Sequence, residues 1–193
     1  MKFITADLFM SETKKTQPPE FRTSGTLAKK GVVVAEQSSI DALTSRGYGT
    51  LTDKVFTLAF FEALYLVDKD MLEVKNEKGK KVDFQNLLHC YEAQNENGWV
   101  SYLVYRDLRS RGYVAREGFG AGIDFRMYER GEYGKDTAPY LVMSMQEGKP
   151  LGIDELAEAM QQSQNQKKEL ALAVMNRRGE IVYYSVSQLS FHS

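Results

Sequence analysis

The sequence predicts a mixed α/β protein (α+β in its first part) made of two units. A small N-terminal mixed α/β domain covers residues 1–94, and a C-terminal α/β domain with a central mixed sheet covers 95–193. Three observations point there. Short β-branched runs alternate with segments whose apolar residues recur at helical spacing. A polar break with a helix breaker, Asn95-Glu96-Asn97-Gly98, divides the chain into parts of different pattern. Of the 193 residues, 42% are hydrophobic and 26% charged, which suffices for a buried core and excludes a disordered chain.

The elements follow in order. Residues 1–10 read as a strand, with Phe3, Ile4, Leu8 and Phe9 as core positions, and residues 11–26, with Pro18, Pro19 and Gly25, read as a loop. Gly31-Val32-Val33-Val34-Ala35 is a β-branched strand. Ser38 or Ser39 is placed to cap a helix that runs through Arg46 and stops at Gly47. Phe60, Phe61, Ala63, Leu64, Leu66 and Val67 form a helical core segment. Met71–Lys75 is a strand, Glu77–Lys80 a turn, and Asp83 starts a helix with Phe84, Leu87, Leu88 and Tyr91 on one face. After the break, Trp99, Tyr102, Leu103, Tyr105, Arg106 and Leu108 begin an amphipathic helix that stops at Gly112. Tyr113–Ala115, Asp124–Tyr128 and Tyr140–Met145 then read as strands. Ile153–Gln162 is a helix capped by Gly152 or Asp154. Leu170–Met175 and Ile181–Val186 bracket the turn Asn176-Arg177-Arg178-Gly179-Glu180, a hairpin with glycine where φ is positive.

Composition narrows the chemistry. Lys+Arg is 25 against Asp+Glu 26, a net charge of −1, so bulk charge gives no case for nucleic-acid binding, although a local basic patch does. One cysteine, Cys90, excludes an internal disulfide and a cysteine metal cage. Two histidines, His89 and His192, leave little for zinc or a Ser-His-Asp site. No apolar run approaches the roughly 18 residues of a membrane span. The N-terminus lacks a secretory pattern, so a cytoplasmic, metal-free protein is expected.

Within Tyr102–Tyr133, Arg106, Arg109, Arg111, Arg116, Arg126 and Arg130 crowd among aromatics. Arginine pairs with phosphate and stacks on bases, so this is either an RNA-facing surface or a solvated face partnered by Asp107, Glu117 and Glu129. Gly118-Phe119-Gly120-Ala121-Gly122 is dense in glycine, but a strand follows it rather than a helix N-terminus. It therefore reads as a strand-entry loop, not a phosphate cradle. Tyr128, with Lys167 and Lys168 at the start of a strand, supplies residue types used in metal-free acid–base chemistry on phosphodiesters, or simply packing.

The second half resembles the archaeal tRNA-splicing endonuclease family. The resemblance is carried by Tyr105-Arg106-Asp107-Leu108-Arg109-Ser110-Arg111-Gly112-Tyr113 and Asp124-Phe125-Arg126-Met127-Tyr128-Glu129-Arg130-Gly131. It continues through Pro139–Val142, Lys168–Val174 and Gly179–Tyr184, and more weakly in the first half through Arg46-Gly47-Tyr48-Gly49, then Glu62–Leu66 and a following hairpin. The resemblance implies a nuclease-like second domain. It also implies excision of introns from bulge-helix-bulge precursor tRNA, leaving 2′,3′-cyclic phosphate and 5′-hydroxyl ends, without metal or cofactor. Such chemistry needs a base for the 2′-OH, an acid for the leaving 5′-oxygen and a cation for the phosphorane. The family uses Tyr, His and Lys, which fall on Tyr128, on Thr137 or Ala138, and on Lys168. Arg126, Arg130 and Lys167 are the RNA-binding candidates.

The sequence departs from the family at two places. Neither Thr137 nor Ala138 is histidine, and neither His89 nor His192 lies in a matching segment. Either this is a non-catalytic subunit that positions RNA in a mixed enzyme, or a histidine has been replaced by alanine at Ala138. The turn Asn176–Glu180, where family tetramers carry an acidic loop that docks in a basic cleft, holds Arg177 and Arg178 with Glu180 alone acidic. The expectation is that another subunit donates that loop. Ile181–Val186 resembles the family's dimerising edge strand. The implied partners are precursor tRNA and a second chain, in a homodimer or a heterotetramer, and no membrane.

Overall fold

The computed structural model describes residues 21–120, 122–135 and 137–187. The strand expected at residues 1–10 lies outside the described residues, as does His192. The first part of the chain builds a six-stranded mixed sheet from β1 (Thr23–Ala28), β2 (Gly31–Val34), β3 (Thr50–Thr52), β4 (Val55–Leu58), β5 (Leu72–Lys75) and β6 (Lys81–Val82). Their order is β3-β4-β2-β1-β5-β6, and only the β1–β5 pairing is parallel. Helices α1 (Gln37–Ser45), α2 (Phe60–Asp68) and α3 (Phe84–Glu92) complete this part.

The second part opens with α4 (Gly98–Ser110) and forms a five-stranded mixed sheet from β7 (Val114–Glu117), β8 (Phe125–Tyr128), β9 (Tyr140–Gln146), β10 (Glu169–Met175) and β11 (Ile181–Val186). The order is β11-β10-β9-β8-β7, with β9 and β10 parallel across the connecting helix α5 (Ile153–Asn165). The sheet has two differently covered faces. Phe125, Val142 and Ala173 join the main core beneath α4. Leu141 and Leu170 pack with Ile123, Met143 and Ala159 in a smaller core beneath α5.

Most helix stops are as read. Gly47 and Gly112 follow α1 and α4 with φ of +74° and +88°. The amides of Tyr48 and Tyr113 reach back to the carbonyls of Leu43 and Leu108 at 3.0 and 3.1 Å, closing Schellman motifs. Asp83 caps α3, its Oδ1 accepting from the Asn86 amide at 2.9 Å. Gly152 is the N-cap of α5, which runs three residues beyond the expected end at Gln162.

Three expectations are corrected. The loop expected to last through residue 26 gives way at Thr23 to β1, whose central glycine is a packing device. A Cβ at Gly25 would lie 2.5 Å from Val32 Cγ1. The α1 cap is Glu36, not a serine; the Ser38 and Ser39 hydroxyls both donate to its carboxylate at 2.8 Å. The hairpin of β3 and β4 is not marked in the sequence, whereas β5 and β6 form the hairpin expected after Glu62–Leu66. The reading of Arg106–Arg130 as one external face also changes, because several of these arginines turn inward.

The two sheets meet through a shared core. Phe61 of α2 lies 4.8 Å from Tyr105 of α4 and 5.1 Å, edge-on, from Phe125 of β8. Beside them Glu62 and Arg116 form a buried ion pair at 3.0 Å. Glu62 also accepts the amides of Gly49 and Ala59, while Arg116 donates to the Gly47 and Gly49 carbonyls. Burial pushes the Glu62 carboxyl up, against the opposing pull of Arg116 and the two amides. Arg109 stacks over Tyr48 at 4.1 Å and donates to the Arg46 carbonyl at 2.9 Å. The loop Arg46–Gly49 of the first part is thereby tied to α4 and β7 of the second. No helix among the described residues is long and apolar enough to cross a membrane.

Candidate active site

Side-chain alternation along β8 sends Phe125 and Met127 toward the main core and leaves Arg126 and Tyr128 on the opposite face, the one covered by α5. Arg126 pairs with Leu141, which belongs to the α5 core. Met127 stands opposite Tyr140, and Tyr140 opposite Glu169. One step outward, the same register aligns Tyr128, Pro139 and Lys168 at the end of the sheet. The Glu169 amide donates to the Pro139 carbonyl at 2.9 Å, which holds that row together. Tyr128 and Lys168 therefore flank the start of β9, their backbones about 10 Å apart at ordinary strand spacing.

Lys168 is placed by the way α5 ends. Gln166 is the C-cap, and Lys167 takes the left-handed position that glycine usually fills, at φ +54°. The amides of Lys167 and Lys168 return to the carbonyls of Gln164 and Ser163 at 3.0 and 2.9 Å, a Schellman motif. This sharp stop turns the chain directly into β10. The Lys168 ammonium, half-buried, donates to the Ala138 carbonyl, while Lys167 is exposed.

Thr137 and Ala138 differ in a way that sequence could not show. Thr137 is exposed and lines an open cavity of about 430 Å³ with Tyr128, Tyr133, Gly134 and Lys135. Ala138 is 2% exposed, so its side chain is shielded from the solvent that Thr137 meets. The candidates Tyr128, Thr137, Ala138 and Lys168 thus stand together at one end of the second sheet. Arg126 lies two residues inward from Tyr128 on the same face. Arg130, exposed, stacks over Tyr113 at 5.5 Å.

Tyr133 and Lys135 line the same cavity and are candidates that the sequence reading missed. Tyr133 packs edge-on against Tyr128, centroids 5.1 Å apart. A tyrosine and a lysine between and after two turn glycines, Gly131 and Gly134, are the signal that would have found them. Both glycines have positive φ and shape this loop. The loop rests on the first part of the molecule, since a Cβ on Gly47 would come 3.2 Å from the Tyr133 ring and 2.7 Å from Val114.

The other arginines are accounted for elsewhere. Arg109 and Arg116 bind the first part. Arg111 pairs with Asp107 at 2.7 Å, where Asp107 also accepts the Tyr183 hydroxyl at 2.8 Å. Arg106 lies over Tyr102. Glu129, expected as an arginine partner, instead accepts from the Tyr140 hydroxyl at 3.3 Å and holds that phenol up. His89 is on α3, in the first part, exposed. Among the described residues no group of three His, Cys, Asp or Glu is placed to hold a metal ion.

Comparison with known proteins matches both parts. Residues 23–88 fit the family model for the tRNA intron endonuclease N-terminal domain, and residues 98–183 fit that for its catalytic C-terminal domain. The tRNA-splicing endonuclease of Methanococcus vannielii is 33% identical over 180 residues, spanning 93% of this chain and 98% of its own. That of Methanococcus maripaludis is 32% identical over the same shares. The Pyrococcus horikoshii protein of that name is 30% identical over 91% of this chain and 99% of its own.

Proposed function

This chain belongs to the tRNA intron endonuclease family, and from that premise we propose that it is a subunit of a tRNA-splicing endonuclease whose cutting cleft lies at the Tyr128–Lys168 end of the second sheet. The observation that carries the reading is the row Tyr128–Pro139–Lys168 opening onto the cavity lined by Thr137 and Lys135. In it the Tyr128 oxygen takes the proton of the attacking 2′-hydroxyl. The 2′-oxygen bonds to phosphorus and the bond to the 5′-oxygen breaks, leaving a 2′,3′-cyclic phosphate and a 5′-oxyanion that must take a proton to become the 5′-hydroxyl. The Lys168 ammonium, held at the mouth of the row by the Ala138 carbonyl, stabilises the charge on the phosphorane. No metal takes part. Arg126, Arg130 and Lys167 hold the RNA backbone, and the setting is the cytoplasm.

The missing part is the acid that protonates the 5′-oxygen. Thr137 is the position from which an imidazole would reach the cleft, since it is exposed and lines the cavity, whereas Ala138 is packed. The absence of a proton donor at both positions supports a second reading, a non-catalytic subunit that positions RNA for a partner. Two features bear on assembly. The outer edge of β11, with Val182 and Tyr184 exposed, offers backbone groups to a second chain. The turn Asn176–Glu180 projects Arg177 and Arg178, so the docking loop comes from another subunit.

The test is cleavage of a bulge-helix-bulge precursor tRNA in EDTA by the native chain, Thr137→His and Ala138→His. Cutting by Thr137→His alone supports a catalytic cleft that lacks its acid. If no version cuts alone and a second subunit restores cutting whether or not Tyr128 is changed to phenylalanine, the chain is structural.

A further inference from the structure

The first sheet gathers positive charge that the cleft does not use. The chain as a whole has a net charge of −1. Yet Lys29, Lys30, Lys75, Lys78, Lys80 and Lys81 stand together at one end of that sheet, and all are exposed. Strand pairing brings them there. Because β1 and β5 run parallel, the β1–β2 turn Lys29-Lys30 and the β5–β6 turn 76–80 leave the sheet at the same end. The register sets Thr26 beside Lys75, and Lys75 beside Lys81. Gly25, Val74 and Val82 of these strands are buried, so Thr26, Lys75 and Lys81 share the outer face.

The turn is ordered and its charge has few acidic partners. Asn76 Oδ1 accepts the amides of Lys78 and Lys80 at 3.0 and 2.9 Å. Lys75 pairs with Glu73 at 3.2 Å, while the other five lysines form no ion pair among the described residues. Lys75 first, then Lys81 and Arg22, hold the Glu73 carboxyl low, as a positive surface does. The large exposed apolar side chains of the described residues lie on other elements. A protein interface needs an apolar or aromatic centre and is poor in lysine. A phosphate backbone needs point charges and hydroxyls, which this face presents.

Position decides which part of an RNA meets it. Lys30 shares a cavity of about 540 Å³ with Glu117 and Phe125. Phe125 and Tyr128 are the two ends of β8, about 10 Å apart along the strand. The lysines thus lie toward the end of β8 remote from Tyr128, and a ligand that touches both must extend past the cleft. We propose that this lysine end of the first sheet binds the phosphate backbone of the paired RNA arm that continues beyond the cut. It reads no base, and it adds affinity only where the arm is long enough to reach it. This rests on the RNA-cutting reading of the Tyr128 cleft.

The test compares a full bulge-helix-bulge precursor tRNA with a minimal RNA whose arms end within a few base pairs of the bulges. Both are titrated with the full chain, alone and with a second subunit. Lys78→Gln/Lys80→Gln/Lys81→Gln is expected to weaken precursor binding about tenfold and to make its salt dependence shallower by about two to three counterions. Binding of the minimal RNA stays as it was. Lys78→Arg/Lys80→Arg/Lys81→Arg binds the precursor like the native chain. Precursor binding unmoved by the glutamine variant overturns the lysine face and leaves the cleft reading intact. Equal losses on both RNAs trace to net charge rather than to the arm and overturn it too. Loss of association between chains, with precursor binding unchanged, makes the lysines a protein contact and also overturns it. Failure of the native chain to bind either RNA, alone or with a second subunit, overturns the cleft reading and the lysine face together.

Discussion

Gly47 shows how much one residue can carry. It ends α1 with φ of +74°, and its missing side chain is what lets Val114 and the Tyr133 ring come close. Gly47→Ala meets both constraints at once. The left-handed conformation alone costs about 1–2 kcal/mol for an L side chain. The steric overlap adds to this, so a loss of about 2–3 kcal/mol in urea denaturation is expected. Tyr133 is edge-on to Tyr128, so the variant should also lower RNA cleavage or binding beyond what its stability loss explains. An unchanged denaturation midpoint would show that the loop yields freely. Gly47 was legible in the sequence as a helix stop, because a glycine after an amphipathic run is a local signal. Its second role was not, since Val114 and Tyr133 are brought there by the fold. Thr137 and Ala138 make the same point. They are neighbours in sequence, and only the register of β8, β9 and β10 makes one exposed and the other buried.

At the scale of elements, the end of α5 departs from the usual chemistry. Lys167 occupies the left-handed position of a Schellman motif, where glycine fits without strain. Lys167→Gly relieves about 1–2 kcal/mol of backbone strain and returns part of it as added freedom of the unfolded chain, leaving a gain of about 0.5 kcal/mol. If the Lys167 ammonium meets phosphate, the same variant loses one contact, seen as a shallower salt dependence of RNA binding. A more stable protein with weaker, less salt-sensitive binding is the expected pair of results. Stability rising with RNA binding unchanged would remove Lys167 from the interface. Unusual turn chemistry also explains which strands were hard to read. Asp53 and Lys54 join β3 to β4 with φ of +49° and +67°, the two-residue hairpin turn that Asn-Gly or Asp-Gly usually announces. With lysine in the second place, and Thr50, Leu51 and Thr52 all exposed, neither turn signal nor alternation marked the hairpin. By contrast β8 to β11 were readable, because their apolar runs are long or their turns carry glycine, as at Gly179.

For the whole molecule the question is what holds two sheets as one body, and the answer is a seam with charged and phenolic groups inside it. Arg116→Ala strands the Glu62 carboxylate in the seam and should cost about 3–5 kcal/mol in urea denaturation. The double variant Arg116→Met/Glu62→Gln recovers part of that loss, because no charge is left without a partner. The phenols give an independent handle through alkali. Burial pushes Tyr91 and Tyr102 up to about 12. Tyr105 and Tyr183 are pushed up as well, by burial first and for Tyr183 also by the Asp107 carboxylate it donates to. In the unfolded chain all four ionise near pH 10. The folded state therefore keeps protons that the unfolded state has lost. The contribution of these groups is whole below about pH 10 and is lost as pH rises through 12. These four should ionise only in a cooperative step above pH 10, at which both sheets unfold together. Absorbance at 295 nm followed beside circular dichroism shows whether their ionisation and unfolding coincide. These four titrating near pH 10, with the fold intact, would mean that the seam admits water and that the sheets are joined less tightly than Phe61, Tyr105 and Phe125 indicate.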